Sequence, residues 1–335
     1  MPTTHFTALR DLGPEGLESV ISRAIAWKKQ PPIDGLKGRI LGMVFFNPSL
    51  RTRASFEAAM IRSGGHAIVL EVGSGVWSLE HRDGVVMDEN RTEHIREAVP
   101  VLSRYVDALA IRTFSDGTGD DADEADVVLN GFRKYSTTPV VSMESAREHP
   151  CQGLADVLTM REKFGATKGL DVTLSWAPHV KPLPKAVPNS FLLSAAAAGC
   201  NVRVAHPKGF ELTASVLNEG VKLADQAGGS IIVTNDQSEA LRGSHVVYAK
   251  AWGPSSHSSA REEAAKPELR QQAWMTTTRH MDLLAKDGVF MHCLPTRRGL
   301  EVADEILDSK RSLVVDEAEN RFHVQRVILH DLLKR

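Results

Sequence analysis

The chain has 335 residues, room for two domains of ordinary size, and its 42% hydrophobic and 24% charged residues fit a globular protein and argue against disorder. Lys and Arg number 40 against 42 Asp and Glu, a formal charge of -2, so no global field marks a nucleic-acid or membrane binder. Three scattered cysteines (Cys151, Cys200, Cys293) fit a reducing compartment, and Met1–Thr7 lacks a basic stretch leading into an apolar run, so a cytoplasmic location is expected.

Along the chain, short β-branched or apolar runs alternate with helix-like stretches. In the first half strands are predicted at 39–46, 67–72, 108–111 and 140–142, with helices at 49–63 and 93–104. The acidic, glycine-containing stretch 116–126 reads as a loop. A helix beginning near His149, with Leu154, Val157 and Leu158 on one face, bridges to the second half. There, strands are predicted at 171–176, 201–205, 230–233, 245–249, 288–292 and 312–315. Helices fit 187–198, 213–226, 303–307 and 321–333. Pro178–Pro188 holds four prolines and must be irregular. The most apolar stretch, Phe191–Cys200, is too short for a membrane span and reads as a buried helix. The alternation predicts an α/β protein with two doubly wound parallel-sheet domains linked by long helices.

The run 39–46 leads into Asn47-Pro48-Ser49-Leu50-Arg51-Thr52-Arg53, then Phe56, Ala59 and Met60 at helical spacing. Ser49 is a good N-cap, and Pro48 closes the strand before it. The helix therefore opens with unpaired N–H groups and a positive dipole end. Ser49 and Thr52 add hydroxyls and Arg51 and Arg53 add guanidinium donors, a cluster suited to a dianionic phosphate. Two arginines in a first turn oppose the dipole unless an anion offsets them. Neither GxxxxGK(S/T) nor a GxGxxG after a strand occurs, so nucleotide use has no direct support. Arg112 follows the strand 108–111 at its C-terminal end, where parallel-sheet sites cluster.

Ser49-Leu50-Arg51-Thr52-Arg53 resembles the S-T-R-T-R carbamoyl-phosphate motif of the aspartate and ornithine carbamoyltransferases, with Leu50 in place of threonine. His149-Pro150-Cys151-Gln152 resembles their H-P-x-Q segment, and His292-Cys293-Leu294-Pro295 the ornithine-type H-C-L-P; the three fall in the family's order. Within that superfamily, residues 45–49, 142–144, 176–179, 248–250 and 316–321 look like the N-acetylornithine and N-succinylornithine carbamoyltransferases. The resemblance implies transfer of a carbamoyl group from carbamoyl phosphate to the side-chain amine of an N-acylated ornithine, in arginine biosynthesis. It implies small-molecule substrates only, no cofactor and no metal. It further implies a homotrimer with shared active sites and a trefoil knot at Pro178–Pro188. The expected domains are a carbamoyl-phosphate-binding one over 1–148, with a C-terminal helix 318–335 packing back on it, and an acceptor-binding one over 149–317.

By the same resemblance, Thr52, Arg112 and His149 donate to the carbamoyl oxygen. Ser49, Leu50, Arg51, Thr52, Arg53, Arg112, His149, Gln152 and Arg321 hold carbamoyl phosphate, and Trp77 reaches it from a neighbouring subunit. Cys293 and Leu294 bring a backbone carbonyl near the attacking amine, and the Leu294–Pro295 bond is expected to be cis. Cys293 is not expected to act covalently, because the amine attacks directly. That amine has an ordinary pKa of about 10.4, so it must bind deprotonated or lose its proton, and the departing phosphate could accept it.

Acceptor contacts are expected from Glu144, Lys250, Leu294, Arg297, Arg321 and Thr92. Lys250 lies in the region where ornithine enzymes hold a free α-amino group. A lysine repels an α-ammonium and favours a carboxylate or an acyl carbonyl. Thr92 stands where the acetyl type has Glu and the succinyl type Pro, and Glu301 where the acetyl type has Lys, which leaves the acyl group, or another diamino-acid acceptor, open. The alternative in the binding class is a silent carbamoyl-phosphate-binding homologue. The joint presence of Arg51, Thr52, Arg53, Arg112, His149 and Gln152 argues against it.

Overall fold

The computed structural model describes residues 5–114, 120–254 and 274–334. By its contacts the chain divides into two compact units, Met1–Cys151 with Arg321–Arg335, and Gln152–Asn320.

In the first unit, β1 (Ile40–Phe45), β2 (His66–Glu71), β5 (Ala108–Arg112) and β6 (Val140–Glu144) form a four-stranded sheet in the order β2-β1-β5-β6. Every pairing is parallel. All residues of β5 and β6 are buried, which is why these strands read as continuous apolar runs and not as alternating ones. β3 (Leu79–Glu80) and β4 (Glu93–His94) pair separately. The helices are α1 (Gly13–Lys29), α2 (Leu50–Ile61), α3 (Ile95–Leu102), α4 (Asp120–Ala125) and α5 (Val127–Tyr135). Val44, Ile95, Val99, Leu109, Ile111 and Phe132 belong to one apolar cluster that packs α3 and α5 on the sheet.

The second unit has a five-stranded parallel sheet in the order β11-β10-β7-β8-β9. Its strands are β7 (Asp171–Trp176), β8 (Asn201–Ala205), β9 (Ser230–Thr234), β10 (Val246–Lys250) and β11 (Val289–Met291). The helices are α6 (Pro150–Phe164), α7 (Ala186–Ala197), α8 (Ala214–Ala227), α9 (Gln237–Leu241), α10 (Thr278–Met281), α11 (Asp304–Leu307) and α12 (Val314–Leu333). Residues Ala186 to Ala196 of α7 are all buried, matching an all-round apolar sequence. The two division points, after Cys151 and after Asn320, fall inside α6 and α12.

Both units reverse their strand order once. The first runs outward from β1 to β2 and then continues on the other side with β5; the second does the same between β7 and β10. In open α/β sheets, ligands bind at the carboxyl ends of strands beside such a switch point.

Five predicted elements need correction. Residues 120–125 of the expected acidic loop are α4; 116–119 lie outside the described residues. Asp120, Asp121 and Asp123 occupy its first turn, where the helix dipole favours negative charge. The expected strand 312–315 is a single bridge at Ser312, and α12 begins at Val314, before the predicted start at 321. The helix predicted over 93–104 starts at Ile95, because Glu93 and His94 pair as β4. Pro188 lies in the first turn of α7, where no intrahelical N–H is needed, so the irregular stretch ends before it. Among the described residues no helix is long and apolar enough to cross a membrane.

Candidate functional site

The first unit gathers cations at the carboxyl ends of β1 and β5. After β1 the chain turns through Asn47, whose Oδ1 accepts the N–H of Phe114 beyond β5 at 2.8 Å. Ser49 is extended (φ -156°) and caps α2, its hydroxyl accepting the N–H of Thr52 at 3.2 Å. Thr52 is buried and Arg51 half-buried just inside the helix. Arg112 ends β5 with 7% exposure. Its Nη1 donates to Glu144 Oε2 and, at 3.5 Å, to Thr52 Oγ1, while its guanidinium lies 4.6 Å from the Phe114 ring centroid. Arg112 Nε is buried without a hydrogen-bond partner among the described residues.

His149 is 2% exposed, with Nε2 3.6 Å from Glu144 Oε2. Burial first, and then the charges of Arg321, Arg112 and Arg51, hold its pKa well below the ordinary value. The imidazole is therefore neutral, able to donate one hydrogen bond without adding charge. The charges of Arg51, Arg112 and Arg321 all act on this one ring. Glu144 pairs with Arg112, and the cationic cluster, with the capped N-terminus of α2, suits an anion.

Arg53 is engaged by Glu71 at 2.7 Å and Glu57 at 3.6 Å, so its guanidinium is committed to carboxylates. Leu50 is 82% exposed. Trp77, 58% exposed, donates its indole N–H to Glu93 at 2.8 Å. Thr92 is exposed, its N–H held by Ser78 O at 3.1 Å. Glu144, expected at the acceptor, lies in the first unit and pairs with Arg112.

The second unit builds its cluster at the carboxyl ends of β7, β10 and β11. Lys250 ends β10, 7% exposed, its Nζ donating to Ala251 O at 3.0 Å. His292 follows β11, and its Nδ1 accepts the N–H of Leu294 at 2.9 Å. Leu294 has φ 53°, and the Leu294–Pro295 peptide is cis. Cys293 is buried beside Tyr248, whose phenol is pushed well above its usual pKa by burial and then by Asp156, Cys293 and Glu317. Arg297 is exposed and donates from Nε to His179 Nε2 at 3.0 Å. Gln152 donates from its amide to Asp156 and Glu317.

Glu301, 1% exposed, accepts the N–H of Arg297 at 2.6 Å and lies 3.5 Å from His292 Nε2. Burial works to raise its pKa, but the hydrogen bond and charge of His292, the charge of Lys250 and the Arg297 N–H bring it down to about 2. The carboxylate is ionised among Lys250, His292 and Arg297, a cationic patch with an internal counter-charge. His179, Asp156 and Glu317 had been given no role by sequence reasoning, and Glu301 was noted only as standing where the acetyl type has Lys. His179 carried one signal, its place just past a predicted strand end; Asp156 and Glu317 carried none. Among the described residues no group of His, Cys, Asp or Glu is arranged to hold a metal.

Comparison with known proteins bears on both halves. Residues 4–162 match the aspartate/ornithine carbamoyltransferase carbamoyl-P binding domain, and residues 184–332 match the Asp/Orn binding domain of the same family. The N-acetylornithine carbamoyltransferase of Xanthomonas campestris pv. campestris is 38% identical, over 99% of this chain and 98% of that protein. The N-succinylornithine carbamoyltransferase of Bacteroides thetaiotaomicron is 36% identical, over 98% of each. A crystal structure of acetylornithine transcarbamylase complexed with acetylcitrulline matches with TM-score 0.93 and 39% identity, over 98% of each chain.

Proposed function

The chain belongs to the aspartate/ornithine carbamoyltransferase family, and from that premise we propose that it carbamoylates the side-chain amine of an N-acylated ornithine. Carbamoyl phosphate is the donor; N-acylcitrulline and phosphate are the products. The observation that carries the reading is the buried Arg112 and His149, both at Glu144, with Thr52 beside Arg112 at the capped N-terminus of α2.

In this reading Ser49, Arg51, Thr52, Arg321 and the first N–H groups of α2 hold the phosphate. Arg112, Thr52 and His149 donate to the carbamoyl oxygen as negative charge builds there, and Gln152 meets the carbamoyl amide. The acceptor's amine nitrogen attacks the carbamoyl carbon, and the C–O bond to phosphate then breaks. The proton lost by the amine passes to the departing phosphate. Leu294 and Cys293 orient the amine, and Lys250 and Arg297 hold the anionic and acyl end of the acceptor, with Glu301 limiting their combined charge.

The family match to 4–162 and 184–332 supports assigning carbamoyl phosphate to the first unit and the acceptor to the second. The exposed Trp77, an apolar side chain on a surface loop, supports a homotrimer in which it completes a neighbour's site, and Thr92, on the loop between β3 and β4, would join it there. A trefoil knot at Pro178–Pro188, a cytoplasmic location and a place in arginine biosynthesis complete the proposal; they rest on the family resemblance.

The test is phosphate release from carbamoyl phosphate with N-acetylornithine, N-succinylornithine, ornithine and shorter diamino acids. Release with an N-acylornithine but not with ornithine is expected. Release only with another amine would move the acceptor assignment, and binding of carbamoyl phosphate without release under any amine would favour a silent homologue.

A further inference from the structure

β9 ends the five-stranded sheet, and its outer side pairs with no strand among the described residues. The ladder to β8 fixes which backbone groups face outward. The N–H of Ser230 donates to Cys200 O at 3.4 Å, and Thr234 O accepts the N–H of His206 at 3.2 Å. Residues of a strand face a parallel neighbour alternately, so Ser230, Ile232 and Thr234 bond β8. Ile231 and Val233 therefore point their N–H and C=O groups away from it.

Sheet edges are ordinarily blunted by charge, proline, a bulge or a covering segment. β9 reads Ser-Ile-Ile-Val-Thr, uncharged and in regular register. Ile232 is 58% exposed and Val233 45%. The Cδ1 of Ile231 lies 2.9 Å from where a Cβ on Gly220 of α8 would stand. Ile231 and Val233 thus share the α8 face of the sheet, and Ile232 takes the other.

This edge is complementary to itself. A two-fold axis at Ile232 sets Ile231 opposite Val233 of an antiparallel second copy, and Val233 opposite Ile231. Each of those pairs exchanges two hydrogen bonds through the outward groups. Ile232 meets its own copy across the axis as the closer, non-hydrogen-bonded pair, so every central pair joins β-branched apolar side chains. The same register sets Asp236 opposite Gly228 of the second copy. Lys168 stands over Gly228, its Nζ 3.4 Å from where a Cβ would lie, and both Lys168 and Asp236 are exposed. Opposite charges therefore flank the strand pair at both ends, and a copy slipped along the edge would lose that match.

We propose that β9 is a docking edge for a second copy of this chain, the two joining antiparallel about Ile232 into one continuous sheet. The contact is independent of the carbamoyl-transfer reading, and it doubles whatever assembly the chain otherwise forms. One strand pair is a small interface, so the expected dissociation constant is about 10 µM.

Sedimentation equilibrium of the full-length protein from about 1 to about 100 µM should show the weight-average mass rising towards twice its low-concentration value. Ile232→Lys sets like charges at the axis and should abolish the rise. Lys168→Glu sets a carboxylate against Asp236 and should weaken association about fivefold. A mass that does not rise, or a rise that both variants leave intact, overturns the proposal. If Ile232→Lys does not fold, cross-linking decides. Cys151, Cys200 and Cys293 are buried, so an introduced cysteine reports alone. The Cα atoms of a non-hydrogen-bonded pair are about 4.5 Å apart, within disulfide reach. Ile232→Cys should form a disulfide-linked dimer when treated with diamide. Ser230→Cys should not, because it lies about 13 Å from its own copy. Equal linking at both positions, or linking at neither, overturns the two-fold pairing.

Discussion

Arg112 and Glu144 form a buried ion pair, their side chains 9% and 10% exposed, at the carboxyl ends of neighbouring strands. Removing one partner leaves the other charge uncompensated, which costs about 3–5 kcal/mol at buried sites. Arg112→Ala should therefore lower the melting temperature as well as reduce turnover about a hundredfold or more through loss of a donor to the carbamoyl oxygen. The two effects separate in the double variant. Arg112→Ala with Glu144→Gln should regain most of the melting temperature and none of the turnover. Turnover that returned with stability would assign Arg112 only to neutralising Glu144.

Glu301 should make stability depend on acid pH. Its pKa is about 2 in the folded protein against an ordinary 4.5. A depressed carboxylate contributes stability that is fully present above the unfolded value and is lost as pH falls from about 4.5 towards 2. The shift corresponds to about 3 kcal/mol. Denaturant midpoints of wild type and Glu301→Gln, measured from pH 6 to pH 3, should converge as pH falls. Parallel curves would mean that Glu301 titrates alike in the folded and the unfolded chain.

Asp126 works in the opposite sense. Burial, its main influence, lifts its pKa to about 6 from an ordinary 3.8, despite Ser145, the Ala146 N–H and Arg147. A raised acid pKa gives stability below the unfolded value that is lost as pH rises through 6, about 3 kcal/mol by neutrality. The residue also sits at φ 41°, which Asn tolerates as well as Asp. Asp126→Asn should raise the melting temperature at pH 7.5 and leave it unchanged near pH 4. Calorimetry at the two values checks this, and an equal shift at both would assign the gain to backbone preference alone.

What was legible in the sequence was local. The strands β5, β6 and β10 stood out because they are buried throughout and mostly apolar, with charge only at their last residues, Arg112, Glu144 and Lys250. Ser49, Arg51 and Thr52 were readable because a cap and its helix lie within four residues. The acids that organise the site were not. Gln152 and Glu317 are 165 residues apart in the chain, and Glu317 stands in a first turn beside Asp316, where acidic residues are commonplace on solvated surfaces. Nor was the partner of Arg53 legible: Glu71, with which its guanidinium pairs, stands 18 residues on, in β2.

Glu80 closes the loop that carries Thr92. It is 2% exposed and ends β3, which pairs with β4 across that loop. Its Oε1 accepts from the N–H groups of His81 and Arg82, both at 2.8 Å, and from Arg91 Nη1 at 2.7 Å, while Oε2 accepts from Arg82 Nη2 at 2.8 Å. The Arg82 hydrogen bond, chiefly, holds its carboxyl well below the usual range. One carboxylate therefore grips both ends of 81–92, and the N–H of Thr92 and the indole of Trp77 are tied to the same base. Arg82 and Arg91 are also trypsin sites, so the grip can be read directly. Glu80→Gln keeps the size but loses the charge and one strong acceptor, and cleavage after Arg82 and Arg91 under native conditions should speed about tenfold, with little change in global melting. If Thr92 meets the acceptor, as proposed, the acceptor KM should rise more than kcat falls, because its displacement would weaken binding before chemistry. Unchanged cleavage at both arginines would show that the β3–β4 pairing alone holds the loop.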